Sequence, residues 1–118
     1  MLTIMIYPKC STCKNAVKWF EENNISFRVR HIIDEKLSID EIEEIHTKSG
    51  LEIKRFFNTS GMKYRELALK EKFSDLSMAS CYELLASDGM LVKRPLVYSN
   101  DGRVTLGFKI DEYMHTWK

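Results

Sequence analysis

Leu2-Thr3-Ile4-Met5-Ile6-Tyr7-Pro8-Lys9-Cys10-Ser11-Thr12-Cys13-Lys14-Asn15-Ala16-Val17-Lys18-Trp19-Phe20 changes its period half-way, and the architecture turns on that change. Leu2 to Tyr7 is a short β-rich apolar run ended by Pro8, the pattern of a buried strand. From Cys13 onward the spacing is helical: Cys13, Ala16, Val17 and Phe20 fall at i, i+3, i+4 and i+7, and Lys14, Lys18, Glu21 and Glu22 fill the opposite side. The C-x-x-C of Cys10-Ser11-Thr12-Cys13 lies at the junction. Cys10 then stands just before the helix and Cys13 in its first turn.

Asn23-Asn24 closes that helix, and Ile25 to Ile33, with Phe27, Val29 and His31 in alternation, reads as a second strand, which completes a β-α-β unit. Ser38-Ile39-Asp40-Glu41 matches a capping box, with Leu37 and Ile42 spaced for a hydrophobic staple, so a helix should run to about Lys48 and end at Gly50. The segment from Leu51 to Ser87 predicts short helices at Leu51 to Phe57, Lys63 to about Leu69 and Met78 to Ser87, the last capped by Gly89. Leu96-Val97-Tyr98 and Val104-Thr105-Leu106 flank Asn100-Asp101-Gly102, which is hairpin chemistry, and Asp111 to Trp117 makes a final helix. The order is β-α-β, a helical insert at about 36–90, then β-β-α, in one domain spanning 1–118.

The 118 residues carry a net charge of +1. That balance gives no sequence-wide reason to expect direct nucleic-acid binding or a strongly basic partner. No apolar run is long enough to span a bilayer. The first strand is too short for a signal peptide and has no basic segment before it, so a cytoplasmic location is expected. Three cysteines, an odd number, fit reactive or buried thiols in a reducing compartment better than a disulfide framework.

A C-x-x-C where a strand feeds a helix has a redox meaning, because the unpaired N–H groups and positive end of the helix dipole stabilise a thiolate. Cys10 is the expected nucleophile. Chance spacing of two core thiols and half of a zinc site are the competing readings. His31, His46 and His115 lie on separate elements and no second C-x-x-C exists, so no metal site is expected. Lys9 and Lys14 flank the helix start, where cations oppose the dipole. They either hold a thiolate or an anionic substrate, or simply add solubility. Pro95 before a strand is placed to hold a cis bond facing the cysteine loop. Arg94 would then aim its planar guanidinium at the same loop, where it could bind an oxyanion or carboxylate, or else be an ordinary surface arginine. Cys81, within a helix, reads as a small buried hydrophobe.

Tyr7-Pro8-Lys9-Cys10-Ser11-Thr12-Cys13-Lys14-Asn15, Phe56-Phe57-Asn58-Thr59-Ser60-Gly61-Met62-Lys63-Tyr64 and Lys93-Arg94-Pro95-Leu96, in that order and spacing, resemble the arsenate reductase-like (ArsC/Spx) family over essentially the whole chain. Leu84-Leu85-Ala86-Ser87-Asp88-Gly89-Met90-Leu91 and Gly107-Phe108-Lys109 are similar to its small YusI-type branch. The resemblance implies an α/β, thioredoxin-like fold with a helical insertion, a mixed four-stranded sheet flanked by helices, a nucleophilic Cys10 and a cis Pro95. Glutaredoxin-linked reductases of the family attack arsenate with the matching cysteine, pass the oxidation to glutathione and hold the anion with three arginines. Arg94 matches one of these, Asn58 stands at another, and the third falls near Gly107. Spx regulators carry a C-x-x-C here as a redox switch.

The expected function is therefore a thiol-disulfide oxidoreductase in which Cys10 reduces a disulfide, a glutathione mixed disulfide or an oxyanion. Cys10, Cys13 and Arg94 are its catalytic residues, and Lys9, Ser11, Thr12, Lys14, Asn58 and Pro95 its substrate-binding residues. Glutathione or another thiol would be the reductant, with no resident cofactor, and glutaredoxin or thioredoxin a partner of a monomeric chain. The alternative is an Spx-like redox-sensing regulator that binds the RNA polymerase α-subunit.

Overall fold

Alternation along the first strand sets the layers of the molecule. In the computed structural model, which describes residues 1–118, β1 (Leu2–Ile6) turns Leu2 and Ile4 to one face of the sheet and Met5 to the other. β2 (Phe27–His31) lies parallel to β1, β3 (Leu96–Tyr98) antiparallel to β1, and β4 (Val104–Leu106) antiparallel to β3, giving the order β2-β1-β3-β4. The parallel pair needs a crossover, and α1 (Ser11–Glu22) supplies it. β3 repeats the alternation, with Val97 on the α1 side and Leu96 on the other.

Each face therefore has its own core. On one side α1 and α6 (Ile110–Trp117) close over Leu2, Ile4, Ala16, Trp19, Phe20, Val97, Tyr113 and Trp117. The Trp117 indole N–H donates to Thr105 Oγ1 at 3.0 Å, so the buried hydroxyl of β4 is satisfied. On the other side lies the insert: α2 (Ile39–Ser49), α3 (Met62–Glu66), α4 (Leu69–Lys72) and α5 (Met78–Ser87), with single 3-10 turns at Ile53–Phe56, Phe73–Asp75 and Gly89–Leu91. It covers a larger core that includes Met5, Ile32, Ile42, Phe56, Phe57, Leu85, Leu91 and Leu96. Cys81 is buried in that core, as its helical setting predicts.

The capping box forms as read. Ser38 Oγ accepts the Glu41 N–H at 3.1 Å, Glu41 Oε1 accepts the Ser38 N–H at 3.0 Å, and Gly50 closes α2 at φ 69°. The same Glu41 carboxylate takes both Nη groups of Arg30, at 2.6 and 3.0 Å. Arg30 also donates to the carbonyls of Glu35 and Lys36 and to Tyr98 Oη, so one guanidinium joins the edge strand to the insert.

Elsewhere the structure departs from the pattern. The buried stripe of α1 is Cys13, Ala16, Trp19 and Phe20, with Val17 only half-buried, because α6 packs on the Trp19 flank. β2 is shorter than the predicted strand and its alternation does not mark a covered face: it is an edge strand, and Val29 is 37% exposed. The helix expected at Lys63 to Leu69 is two helices, broken where Ala68 adopts φ 53°. The Leu51 to Phe57 helix is a single 3-10 turn. Gly89 is not the left-handed cap of α5. Asp88 ends that helix in an extended conformation, and Gly89 is there because a Cβ would stand 1.9 Å from the Ile32 carbonyl oxygen.

Candidate functional site

The end of β1 and the start of α1 form one hydrogen-bonded loop. The Cys10 N–H donates to the Tyr7 carbonyl at 3.0 Å, and the Cys10 carbonyl accepts the Lys14 N–H at 3.2 Å. Cys10 is the N-cap of α1, the place where a side-chain acceptor meets the free N–H groups of the first turn. Here that acceptor is sulfur: the Cys13 N–H lies 3.3 Å from Cys10 Sγ. No acidic residue stands in the first turn to compete for the dipole.

Cys10 is half-buried, whereas Cys13 is 1% exposed. Partial burial by itself pushes the Cys10 thiol up. The side-chain and backbone donors of Cys13, together with the Arg94 guanidinium as donor and charge, outweigh it and hold Cys10 below the ordinary thiol value. Cys13 is pushed up to about 12, first by burial and then by the neighbouring Cys10 sulfur. The two thiols are thus offset in acidity, with Cys10 the more readily ionised of the pair.

The Arg94-Pro95 peptide is cis, and Arg94 lies against the cysteine loop. Its guanidinium carbon sits 5.1 Å from the centroid of the Tyr7 ring, a cation-π contact, and Nη1 lies 4.0 Å from Met90 Sδ. Pro95 is held in turn, its carbonyl accepting the Gly107 N–H at 2.9 Å. Arg94 also lines a groove of about 510 Å³ with Asn58, Ser60, Lys63 and Arg65. Asn58 is fixed there by its own N–H donating to the Leu91 carbonyl at 2.7 Å. Lys63 is 3.9 Å from Asp88 Oδ2.

Ser11 and Thr12 are exposed in the first turn of α1, and Lys9 and Lys14 are exposed without an ion pair. The charge acting on the sulfur is chiefly that of Arg94. Tyr7 and Met90, which steady Arg94, were not singled out in the sequence. For Tyr7 a signal existed: it is the last aromatic of the β1 run before the loop. His31, His46 and His115 stay apart, and no group of three or more His, Cys, Asp or Glu side chains is placed to hold a metal ion. No helix is long and apolar enough to cross a membrane.

Residues 5–116 match the ArsC family. The chain belongs to the ArsC family. Within it, the chain is 51% identical over 116 residues to protein YusI of Bacillus subtilis, covering 98% of each. It is 32% identical to global transcriptional regulator Spx 1 of Oceanobacillus iheyensis, over 95% of this chain and 83% of that one. A solution structure of a Staphylococcus aureus protein superposes with a TM-score of 0.92 at 46% identity, over 99% and 98% of the two chains. The fold of this ArsC-family member is the thioredoxin-like α/β fold with its helical insert, and the Cys10-Cys13 pair is its C-x-x-C.

Proposed function

We propose that this ArsC-family protein is a thiol-disulfide oxidoreductase. The observation that carries the reading is the placement of the two thiols: Cys10 caps α1 with its sulfur 3.3 Å from the Cys13 N–H, where the Cys13 donors and then Arg94 lower it, while burial raises Cys13 to about 12. In the first step the Cys10 thiolate attacks one sulfur of a disulfide or glutathione mixed disulfide; a Cys10–substrate disulfide forms and the other sulfur leaves as a thiolate. Cys10 is then neutral, so the nearby negative charge that helped Cys13 hold its proton is gone. Cys13 loses that proton to the departing thiolate and attacks Cys10 Sγ. The Cys10–Cys13 disulfide forms, the second substrate thiolate leaves, and two electrons have passed to the substrate. An external thiol such as glutathione, or a dithiol protein of the glutaredoxin or thioredoxin kind, returns the pair to its reduced form. Lys9, Ser11, Thr12, Lys14, Asn58 and Pro95 bound the approach to the sulfur.

A doubly charged oxyanion is a poorer substrate on this reading. Arg94 is the single guanidinium acting on the sulfur, and by the family resemblance Asn58 and the neighbourhood of Gly107 stand where the arsenate-reducing relatives carry their other two arginines. Each missing charge-assisted hydrogen bond is worth about 1.5–3 kcal/mol. The test is turnover. Reduction of a glutathione mixed disulfide by the parent and not by Cys10→Ser supports the reading, and equal rates for the two overturn it.

The 32% identity to a transcriptional regulator favours a second reading, in which the dithiol-to-disulfide change sets affinity for RNA polymerase through its α-subunit. Pull-down against the carboxy-terminal domain of the polymerase α chain, with the protein reduced and then oxidised, separates the two.

A further inference from the structure

Positive charge is gathered beside the cis-proline segment out of proportion to a net charge of +1. Lys54, Arg55, Lys93 and Lys109 line an open groove of about 380 Å³ that also includes Phe57 and Leu106, with Glu52 its one carboxylate. None of the four cations is ion-paired, since the salt bridges of the molecule join Arg30 to Glu41, Lys48 to Glu44, Lys63 to Asp88 and Arg103 to Asp101. Lys54 lies over the Phe73 ring, 5.5 Å from its centroid, which orients the ammonium without neutralising it. The four come from three separate segments: the Ile53–Phe56 turn, the residue before Arg94, and the N-cap of α6. A cation at that N-cap opposes the helix dipole as well as its neighbours. The fold thus assembles mutually repelling charges that a bound anion would relieve.

The groove adjoins the cis-proline segment that carries Arg94. Lys93 precedes Arg94 in the chain, and the Gly107 N–H bond to the Pro95 carbonyl ties the end of β4 to the same segment. We propose that this groove docks an acidic segment of the protein whose disulfide or mixed disulfide Cys10 attacks, an inference that rests on the oxidoreductase reading and names its substrate class. Separate lysines around an open groove suit several carboxylates spread along a chain, whereas a compact oxyanion would be met by Arg94 at the sulfur. Nucleic acid fits less well. Phe57 is 1% exposed and Leu106 7%, so the groove offers no face for stacking bases, and the molecule lacks a wide basic footprint.

Fluorescence anisotropy of a labelled, glutamate-rich peptide without cysteine reads the docking independently of turnover, with a lysine-rich peptide and an oligodeoxynucleotide as the other arms. The glutamate peptide is expected to bind the full chain, to weaken with salt, and to lose about tenfold in affinity in the Lys54→Glu/Arg55→Glu variant. Lys109→Glu, on a different segment, should act in the same direction. The rate of Cys10 alkylation by neutral iodoacetamide reports that each variant is folded around an intact sulfur site. No binding, binding indifferent to these substitutions, or an oligodeoxynucleotide held as tightly as the peptide overturns the proposal. Peptide binding without reduction of any disulfide sinks the oxidoreductase reading alone. Equal kcat/KM for acidic and basic peptide disulfides sinks the docking proposal alone.

Discussion

Arg94 does two jobs with one side chain: it lends charge to the Cys10 sulfur and leans on Tyr7, which limits where that charge can go. The alkylation rate of Cys10 followed against pH should therefore have its midpoint below that of an ordinary thiol. Arg94→Ala should move that midpoint up, since a close cation and donor is removed. Cys10 and Cys13 were legible in the sequence because their roles follow from local geometry, a strand feeding a helix. The contact of Arg94 with Tyr7 and Met90 was not, because it depends on how two distant loops meet across the sheet.

At the scale of elements, boundaries with their own chemistry were readable. The Ser38-Glu41 box, the Asn100-Asp101-Gly102 turn and the span of α5 all stand where the residues put them. The stretch between Leu51 and Asp75 was read less well. Its helices are single turns whose ends are set by packing on Phe56, Phe57 and Tyr64 rather than by caps. The edge position of β2 was equally hidden, since alternation in Phe27, Val29 and His31 does not say whether a layer covers them. Gly89 shows the same limit, its role being a close approach to Ile32 across the fold. Gly89→Ala should destabilise the protein by about 1–3 kcal/mol in urea denaturation, because the obstacle is backbone rather than a movable side chain. Glu41→Gln should cost about 1 kcal/mol, discounted because the Glu41 side chain is 41% exposed. Arg30 first, and the Ser38 cap after it, hold the Glu41 carboxyl down from 4.5 to about 2. Its contribution is full above pH 4.5 and fades as pH falls toward 2. The acid limb of the urea midpoint should accordingly be shallower in Glu41→Gln.

For the molecule as a whole, the raised groups act at the other end of the pH scale. Cys13 titrates near 12 when folded and near 9 when unfolded, so between those values the unfolded chain holds fewer protons and stability falls as pH rises. The slope from this group is at most about 1.4 kcal/mol per pH unit. Tyr113, raised first by burial, adds in the same direction. In reduced protein the urea midpoint should decline above pH 9, and Cys13→Ala should flatten that decline.

Both tryptophans of the chain, Trp19 and Trp117, lie in the smaller core under α1 and α6, and none lies in the insert. Trp19 meets the Tyr113 ring edge-on at 5.4 Å, and Tyr113 in turn feels the charge state of Cys13. Tryptophan emission is consequently a built-in gauge of one half of the protein: it follows the two helices over that face of the sheet, and is blind to a loosening confined to the other half.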